Sequence, residues 1–243
     1  MELNGKVAIV TGSGVRLGRA IAMGLAQSGA QLVLHYGRSA EAARDTLSAV
    51  QSAGATACLI EADLHDPCEA ATRIVDAAMT EFGRVDLLVN NASIFEADSL
   101  ADATQDQWER HFAINLQAPF FLSQAVASRL GSHARGHIVN IADWRGQRPG
   151  GDHLIYTLTK AGLLAMTKSL AQHLAPRIQV NAIAPGAILP AADADPAEFA
   201  ALAADIPLRR TGTCDDVVDA LLFLLRSDFV TGEVVHVTGG QQL

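Results

Sequence analysis

Tyr156 and Lys160 are the residues in the sequence best suited by type and spacing to proton transfer. They are four positions apart, so a helix would present both side chains on one face. A tyrosine hydroxyl has a reference pKa of about 10, too high for easy proton exchange at neutral pH. A nearby ammonium group favours the phenolate and lowers that pKa. The spacing therefore predicts a phenol that exchanges protons with help from the lysine.

A second chemical feature is the glycine-rich stretch 11-TGSGVRLG-18, which directly follows the apolar run 6–10. A strand, a glycine turn and a helix start bring backbone N–H groups and the positive helix end to a pyrophosphate. Gly12 would allow the tight turn, and Gly18 would allow close packing of helix on strand. The glycine spacing is not the common GxGxxG. The stretch indicates a dinucleotide site mainly because it lies between the first predicted strand and the first predicted helix.

The elements that must position these residues alternate along the chain. Short β-branched runs predict strands at 6–10, 31–36, 56–62, 85–90, 137–142, 178–184 and 233–237. Ala/Leu-rich stretches predict helices at 18–28, 39–52, 69–81, 104–130, 154–175 and 214–226. The strands are apolar on both faces, as buried parallel strands are. The alternation predicts an α/β fold, with residues 1–243 forming a single Rossmann domain whose doubly wound parallel sheet of about seven strands is flanked by helices.

The irregular segment 186–206 is rich in Ala, Asp and Pro and follows a predicted strand. Such a loop would lie at the carboxyl edge of the sheet, where these folds bind ligands. We interpret it as a substrate lid, with a plain surface insertion as the alternative.

Composition narrows the possible partners. The net charge is −8, which argues against nucleic acid or an anionic membrane surface as a partner, although a small anionic cofactor needs only local positive charge. Apolar runs are shorter than the roughly 20 residues that span a bilayer, and no signal peptide is evident. The three cysteines are scattered and suggest neither zinc ligands nor disulfides, so we expect a cytoplasmic protein without a metal site.

Three motifs occur in the order typical of the short-chain dehydrogenase/reductase family: 11-TGSGVRLG-18, 90-NNAS-93 and 156-YTLTK-160. The chain resembles that family along nearly its whole length, including 181-NAIAPG-186 and 231-TGEVVHVTGG-240. The resemblance implies a nicotinamide-dependent oxidoreductase in which Tyr156 and Lys160 are catalytic and the lysine also holds the nicotinamide ribose. It also implies that Asn115 supports a water linked to the lysine, the alternative being an Asn that caps a helix bend.

The end of the second predicted strand, 35-HYGRSAEAA-43, indicates which nicotinamide cofactor is used. An NAD enzyme would usually place an acidic residue there to hold the ribose 2′-hydroxyl. Arg38 and Ser39 occur instead, and the planar guanidinium can pair with a 2′-phosphate, which predicts NADPH. The alternative is that Arg16 and Arg38 are solvated surface charges. By resemblance, the cofactor-binding residues are Gly12, Arg16, Leu17, Gly18, Tyr36, Arg38, Ser39, Asp63, Leu64, Asn91, Ala92, Ser93, Tyr156, Lys160, Pro185 and Gly186.

Asp143 departs from the family pattern, which usually has a serine thirteen residues before the tyrosine to hold a substrate carbonyl. A carboxylate accepts hydrogen bonds, and when protonated it can donate one. It therefore suits a substrate rich in N–H donors, or a proton relay, better than a bare ketone. The alternative is a degenerate site that has lost its serine.

Asp143, Arg16 and Phe95 together resemble one branch of the family, the pteridine reductases and the related dihydromonapterin reductases. The resemblance implies that Phe95 stacks on a pterin from the side opposite the nicotinamide, with Ser93 and Arg16 touching the pterin or the cofactor phosphates. The alternative for Phe95 is a core or lid phenylalanine. The implied substrate contacts are Arg16, Ser93, Phe95, Asp143 and Tyr156.

The sequence thus predicts NADPH-dependent reduction of a dihydropteridine, such as dihydromonapterin, dihydrobiopterin or dihydrofolate, by an enzyme that also binds antifolates. A carbonyl or 3-oxoacyl reductase is the alternative enzyme, and a non-catalytic NADPH-binding protein is the alternative of another class. The family resemblance further implies a homotetramer, and the closing residues 240–243 could reach a neighbouring subunit's pocket.

Overall fold

In the computed structural model, which describes residues 1–131, 134–190 and 195–243, seven strands form one parallel sheet. The strand order is β3-β2-β1-β4-β5-β6-β7. The strands are β1 (Val7–Val10), β2 (Gln31–Tyr36), β3 (Ala57–Glu61), β4 (Leu87–Asn90), β5 (Gly136–Ile141), β6 (Ile178–Pro185) and β7 (Val234–Val237). This is the predicted Rossmann topology, and each strand lies within one residue of its predicted bounds or inside them.

The described residues form eight α-helices, most of which pack on the two faces of the sheet. They are α1 (Arg16–Gln27), α2 (Ala40–Ser52), α3 (Pro67–Phe82), α4 (Gln105–Phe112), α5 (Ala118–Arg129), α6 (Leu154–Leu174), α7 (Pro196–Ala201) and α8 (Cys214–Arg226). Short 3₁₀ turns occur at Trp144–Gly146 and Leu202–Ala204. No helix in the described part of the chain is long and apolar enough to cross a membrane.

The central strands are mostly apolar because helices cover the sheet on both faces. All four residues of β1 and of β4 are buried. Two large apolar clusters result, one under α1 and α8 and the other under α3 and α5. The core thus holds the carboxyl ends of the strands in fixed positions, and these ends carry the site.

The predicted helix over 104–130 is present as a continuous helical run over residues 105–129, but one of its turns is irregular. A π-helical turn, Ala113–Gln117, separates α4 from α5. Such turns widen the helix by one residue and occur often at functional sites. Here the widened turn contains Asn115, and Pro119 lies in the first turn of α5, where proline fits because no amide is needed.

The segment 186–206 contains more regular structure than its composition suggested. Asp195 caps α7 by accepting a hydrogen bond from the Ala197 amide at 2.8 Å, and Pro196 opens the helix. Residues 191–194 of the predicted lid lie outside the described residues.

Candidate active site

A cleft of about 790 Å³ opens at the carboxyl ends of the strands, beside the point between β1 and β4 where the strand order reverses. Open α/β sheets bind ligands at this point. The cleft is lined by fifteen of the sixteen residues that the sequence assigned to the cofactor, namely Gly12, Arg16, Leu17, Gly18, Arg38, Ser39, Asp63, Leu64, Asn91, Ala92, Ser93, Tyr156, Lys160, Pro185 and Gly186. Residues that are distant in sequence therefore converge on one concave surface.

Tyr36 is the exception. It ends β2, and its hydroxyl donates to Glu61 on the neighbouring strand at 3.3 Å. Successive side chains of a strand point to opposite faces, and it is His35, one residue earlier, that lines the cleft. The predicted cofactor contact of Tyr36 is therefore not supported by the geometry.

The glycine turn is anchored to the end of β4. The Thr11 hydroxyl accepts hydrogen bonds from the amides of Asn91 and Ala92, at 2.9 and 3.0 Å. Gly12 has a φ of +63°, and a Cβ there would lie 3.0 Å from the Ala92 Cα. At Gly18 a Cβ would lie 2.0 Å from the carbonyl oxygen of Gly12. Close backbone approach therefore requires glycine at both positions, and at Gly12 the positive φ requires it as well.

The first turn of α1 faces the cleft with its positive dipole end uncompensated. Val15 precedes the helix, no described side chain caps it, and its first turn contains no acidic residue. Arg16 opens the helix with a φ of +54°, a region that favours glycine and costs an L-residue roughly 1–2 kcal/mol. Its guanidinium donates to the carbonyl of Pro190, so it bridges the turn to the segment after β6.

The ends of β2 and β3 form the far wall. Arg38 and Ser39 follow β2, and Asp63 and Leu64 follow β3. The Asp63 carboxylate accepts hydrogen bonds from the amide and the ring of His65, at 3.0 and 2.8 Å. These bonds, the amide bond first, lower the pKa of Asp63. Asp63 therefore lines the cleft and also stabilises the turn that follows β3.

These features fit a dinucleotide with a 2′-phosphate. The bare N-terminus of α1 suits a pyrophosphate, and the glycines leave room for it against the backbone. Arg38 lies at the strand end where a 2′-phosphate would be held, and no acidic side chain follows β2 directly to repel it.

At the centre of the site Asp143 and Tyr156 are in direct contact. The Tyr156 hydroxyl donates to Oδ2 of Asp143 at 2.8 Å, and the Arg145 amide donates to Oδ1 at 2.8 Å. Lys160 Nζ donates to the carbonyl of Ile141 at 2.8 Å and lies 5.5 Å from the centre of the Tyr156 ring. Three of the four predicted catalytic side chains therefore lie together, with Tyr156 and Lys160 buried and Asp143 half-buried.

The charges of this group correct the expectation that Lys160 lowers the pKa of Tyr156. Burial, followed by the charge and hydrogen bond of Asp143, raises the pKa of Tyr156 well above 10. Burial also raises the pKa of Asp143 and lowers that of Lys160 to about 8. The first physical reason is burial, which disfavours the charged phenolate, and the second is distance, since the Asp143 carboxylate touches the hydroxyl and the Lys160 ammonium does not. The site therefore favours a protonated phenol, which is an acid rather than a base.

Asn115 lies in the π-helical turn, and its side chain is fully engaged by protein groups. Its Oδ1 accepts from the Ser93 hydroxyl and the Ile94 amide, at 3.1 and 2.9 Å. Its Nδ2 donates to the Ile94 carbonyl and the Thr159 hydroxyl, at 3.0 and 3.2 Å. Asn115 is buried and does not line the cleft. It therefore holds the loop after β4 against α6, and its predicted link to Lys160 through water stays a prediction.

A second cavity of about 490 Å³ adjoins the cleft and shares Arg16, Asp143, Tyr156, Gly186 and Leu189 with it. It also contains Phe95, which is 46% exposed. The Phe95 ring meets Tyr156 edge to face, with ring centres 4.7 Å apart. The two cavities therefore meet at the Asp143–Tyr156 pair.

Sequence reasoning missed the support of Phe95. His153 stacks on Phe95 with ring centres 4.0 Å apart and an interplanar angle of 3°. The Asp152 carboxylate accepts hydrogen bonds from the His153 ring at 2.8 Å and from the Arg145 guanidinium at 2.7 Å. No sequence signal pointed to this chain of contacts, because His153 follows a predicted loop and meets Phe95 only in the fold.

The second cavity also contains residues beyond the five predicted substrate contacts. Glu198, Phe199 and Leu202 come from the predicted lid segment, and Trp144 forms part of the wall. Gln241 lines the cavity of its own chain, and Arg148 donates to the carbonyl of Leu243. The closing residues therefore contact their own subunit, and the expectation that they reach a neighbouring subunit's pocket stays a prediction.

The chain matches the family model described as Enoyl-(Acyl carrier protein) reductase over residues 14–242. A 3-oxoacyl-(acyl-carrier-protein) reductase from Staphylococcus aureus is 32% identical over 243 residues, which cover 98% of each chain.

Two solved structures are similar throughout. Alternative dihydrofolate reductase 1, FolM, from Brucella canis, complexed with NADP, is 32% identical with a TM-score of 0.94 and covers 99% of this chain and 95% of its own. A short-chain dehydrogenase from Burkholderia cenocepacia in complex with NADP is 34% identical with a TM-score of 0.92 over the full length of both chains.

Proposed function

Because the chain belongs to the short-chain dehydrogenase/reductase family, we propose that it reduces a dihydropteridine to the tetrahydro form with NADPH. It is an NADP-dependent oxidoreductase, as the similar structures complexed with NADP support. The observation that carries the pteridine proposal is the contact of Asp143 with Tyr156 beside the exposed ring of Phe95.

The chemistry of the pair suits a pterin. Pterin rings carry N–H and amino donors, and the Asp143 carboxylate keeps lone pairs free after its two protein contacts. A ketone offers only acceptor atoms and would gain nothing from the carboxylate. The similarity to the Brucella canis enzyme named as an alternative dihydrofolate reductase supports the same substrate class.

NADPH, when bound, would supply the hydride. The chain's own residues would orient the cofactor and the substrate and transfer the proton. Tyr156, which burial and Asp143 keep protonated, would donate its proton toward the ring nitrogen of the substrate. The protonated carboxyl group of Asp143 would then transfer its own proton to the phenolate of Tyr156. Lys160 would hold the nicotinamide ribose from the floor of the cleft. Tyr156 and Lys160 are buried, which limits the access of water to them and strengthens these interactions.

Phe95 would form one face of the substrate site. His153 covers one side of its ring and Tyr156 meets its edge, which leaves the remaining exposed surface for a flat heteroaromatic ring. Antifolates such as methotrexate carry the same kind of ring and would bind in the same place. The segment 186–206 would act as the lid through Phe199 and Leu202.

A 3-oxoacyl reductase is the second candidate, favoured by the Staphylococcus aureus relative and by the family model. It would place a ketone oxygen, which has no hydrogen to donate, against the free oxygen lone pairs of Asp143. We therefore rank it below the pteridine reductase.

We also propose that four chains assemble. Large apolar side chains are exposed on α5, α6 and α8, namely Phe120, Leu158 and Phe223. Light scattering at micromolar concentration would then give about four times the chain mass. A monomer would contradict this part of the proposal.

A test of the substrate site is the variant Phe95→Ala, with Phe229→Ala as the matched control. Phe229 is fully exposed and lines neither cavity. Loss of the stacking face should weaken dihydropterin and methotrexate binding by at least about threefold, from roughly 0.5–1.5 kcal/mol of stacking, and leave NADPH affinity unchanged. Equal pterin binding by both variants and the wild type would contradict the proposed site.

A further inference from the structure

His35 is a buried histidine in the wall of the cleft, and the proposed reaction does not use it. It lies near the end of β2 and is 2% exposed. Both ring nitrogens contact backbone groups of other segments. The Gly12 amide donates to Nδ1 at 3.2 Å, and Nε2 lies 3.0 Å from the carbonyl oxygen of Ala62.

These two partners determine the tautomer of His35. A backbone amide can only donate and a carbonyl can only accept. Nδ1 must therefore be bare and Nε2 must carry the proton. A doubly protonated ring could not accept from Gly12, and burial lowers the pKa of His35, which keeps the ring neutral.

The main chain of His35 holds the same turn. Its carbonyl accepts from the amide and the hydroxyl of Ser13, at 3.0 and 3.1 Å. On the other side, Ala62 directly precedes Asp63 and Leu64, which line the far wall of the cleft. His35 therefore connects the glycine turn to the end of β3 through hydrogen bonds.

We propose that His35 is a positioning residue of the cofactor site, whose neutral Nε2–H imidazole fixes the glycine turn relative to the strand end that carries Asp63. The bond to Gly12 matters most for affinity, because it orients the turn that faces the pyrophosphate. Without an acceptor the Gly12 amide must rotate to find another partner, and the turn moves with it. This inference rests on the use of NADPH and is independent of the identity of the substrate.

Two substitutions separate the two ring contacts. In His35→Asn the side-chain oxygen occupies the place of Nδ1 and can still accept from Gly12. In His35→Gln the amide reaches the place of Nε2 and keeps the contact with Ala62, but leaves Gly12 without its acceptor. NADPH affinity, measured by fluorescence titration without substrate, should fall by about five- to tenfold in His35→Gln and clearly less in His35→Asn.

The matched controls are His137→Asn and His137→Gln. His137 is equally buried, lies in β5 and lines neither cavity. Both variants should lose stability without loss of NADPH affinity. Equal affinity in the two His35 variants, or tighter binding by His35→Gln, would overturn the proposal. A wild type that does not bind NADPH would instead overturn the cofactor assignment.

A measurement on the wild type keeps the proposal testable if a variant does not fold. ¹⁵N NMR of the imidazole nitrogens should show the neutral Nε2–H tautomer for His35. An Nδ1–H tautomer or a charged ring at neutral pH would overturn the proposal, because neither could accept from Gly12 through Nδ1.

Discussion

The hydroxyl of Tyr156 and Oδ2 of Asp143 are joined by a hydrogen bond of 2.8 Å, although the residues come from different elements. Asp143 caps the 3₁₀ turn after β5, and Tyr156 lies in the first turn of α6. Burial and then this contact raise the pKa of the phenol. Burial also raises the pKa of the Asp143 carboxyl group, and the two interacting groups titrate as a coupled pair. The predictions that follow concern this pair and its surroundings.

Tyr156→Phe removes the phenolic proton and keeps the ring. We expect turnover of a dihydropterin to fall by about 10²–10⁴-fold, the usual share of general acid catalysis. NADPH binding, measured by fluorescence titration, should be retained because the cleft wall is unchanged. Near-normal turnover would show that the phenol has only a structural role.

The pH dependence of the rate should report Asp143. Burial raises its pKa above 3.8, so the carboxyl group keeps its proton to higher pH than usual. As pH rises through that pKa, the ionised carboxylate holds the phenolic proton more tightly, and kcat/KM should fall. Asp143→Asn does not titrate, so the same limb should be absent from its profile. An identical limb in wild type and variant would assign it to another group.

Cofactor preference should depend on Arg38. In Arg38→Asp the KM for NADPH should rise by about 10- to 100-fold, from the roughly 1.5–3 kcal/mol of a charge-assisted hydrogen bond, while that for NADH changes little. Arg44→Asp is the control, because Arg44 is an exposed residue of α2 outside the cleft. A wild type that already uses NADH as well as NADPH would contradict the assignment.

Lys160 should make stability depend on pH. Burial lowers its pKa in the folded protein to about 8, whereas the unfolded chain keeps a value near 10.5. Between these values the unfolded state binds more protons, so the free energy of unfolding should rise with pH. Relative to Lys160→Met, the cofactor-free wild type should gain about 3 kcal/mol from pH 8 to 10.5 in urea denaturation. A difference that does not vary with pH would mean that the ammonium is solvated.

The order of the elements and the cleft could be predicted from the sequence, because buried parallel strands and the glycine turn leave local signals. The turn around Asn115 could not, since Ala113–Gln117 has the composition of an ordinary helix and only Pro119 hints at a break. The stack of His153 on Phe95 was equally hidden, because it depends on how two distant loops meet. Contacts of this kind are set by tertiary packing and leave no periodic pattern.

The position of Asp143 explains why the protonation of Tyr156 could not be judged correctly from the sequence. From sequence, Lys160 was the nearest identifiable charge, and its spacing on the helix was certain. The distance of Asp143 from the hydroxyl depends on the path of the chain after β5, which the Arg145 amide fixes by its bond to the carboxylate. The sequence gives no measure of that distance.

The central claim is that the pair of Asp143 and Tyr156 serves a pterin. The most direct measurement follows NADPH absorbance in the wild type and in Asp143→Ser, with dihydromonapterin, dihydrobiopterin, dihydrofolate and an acetoacetyl thioester as substrates. We expect the wild type to reduce at least one dihydropterin and to leave the thioester unchanged, and Asp143→Ser to lose pterin reduction while still binding NADPH. A wild type that ignores every dihydropterin and reduces the thioester well would contradict the account.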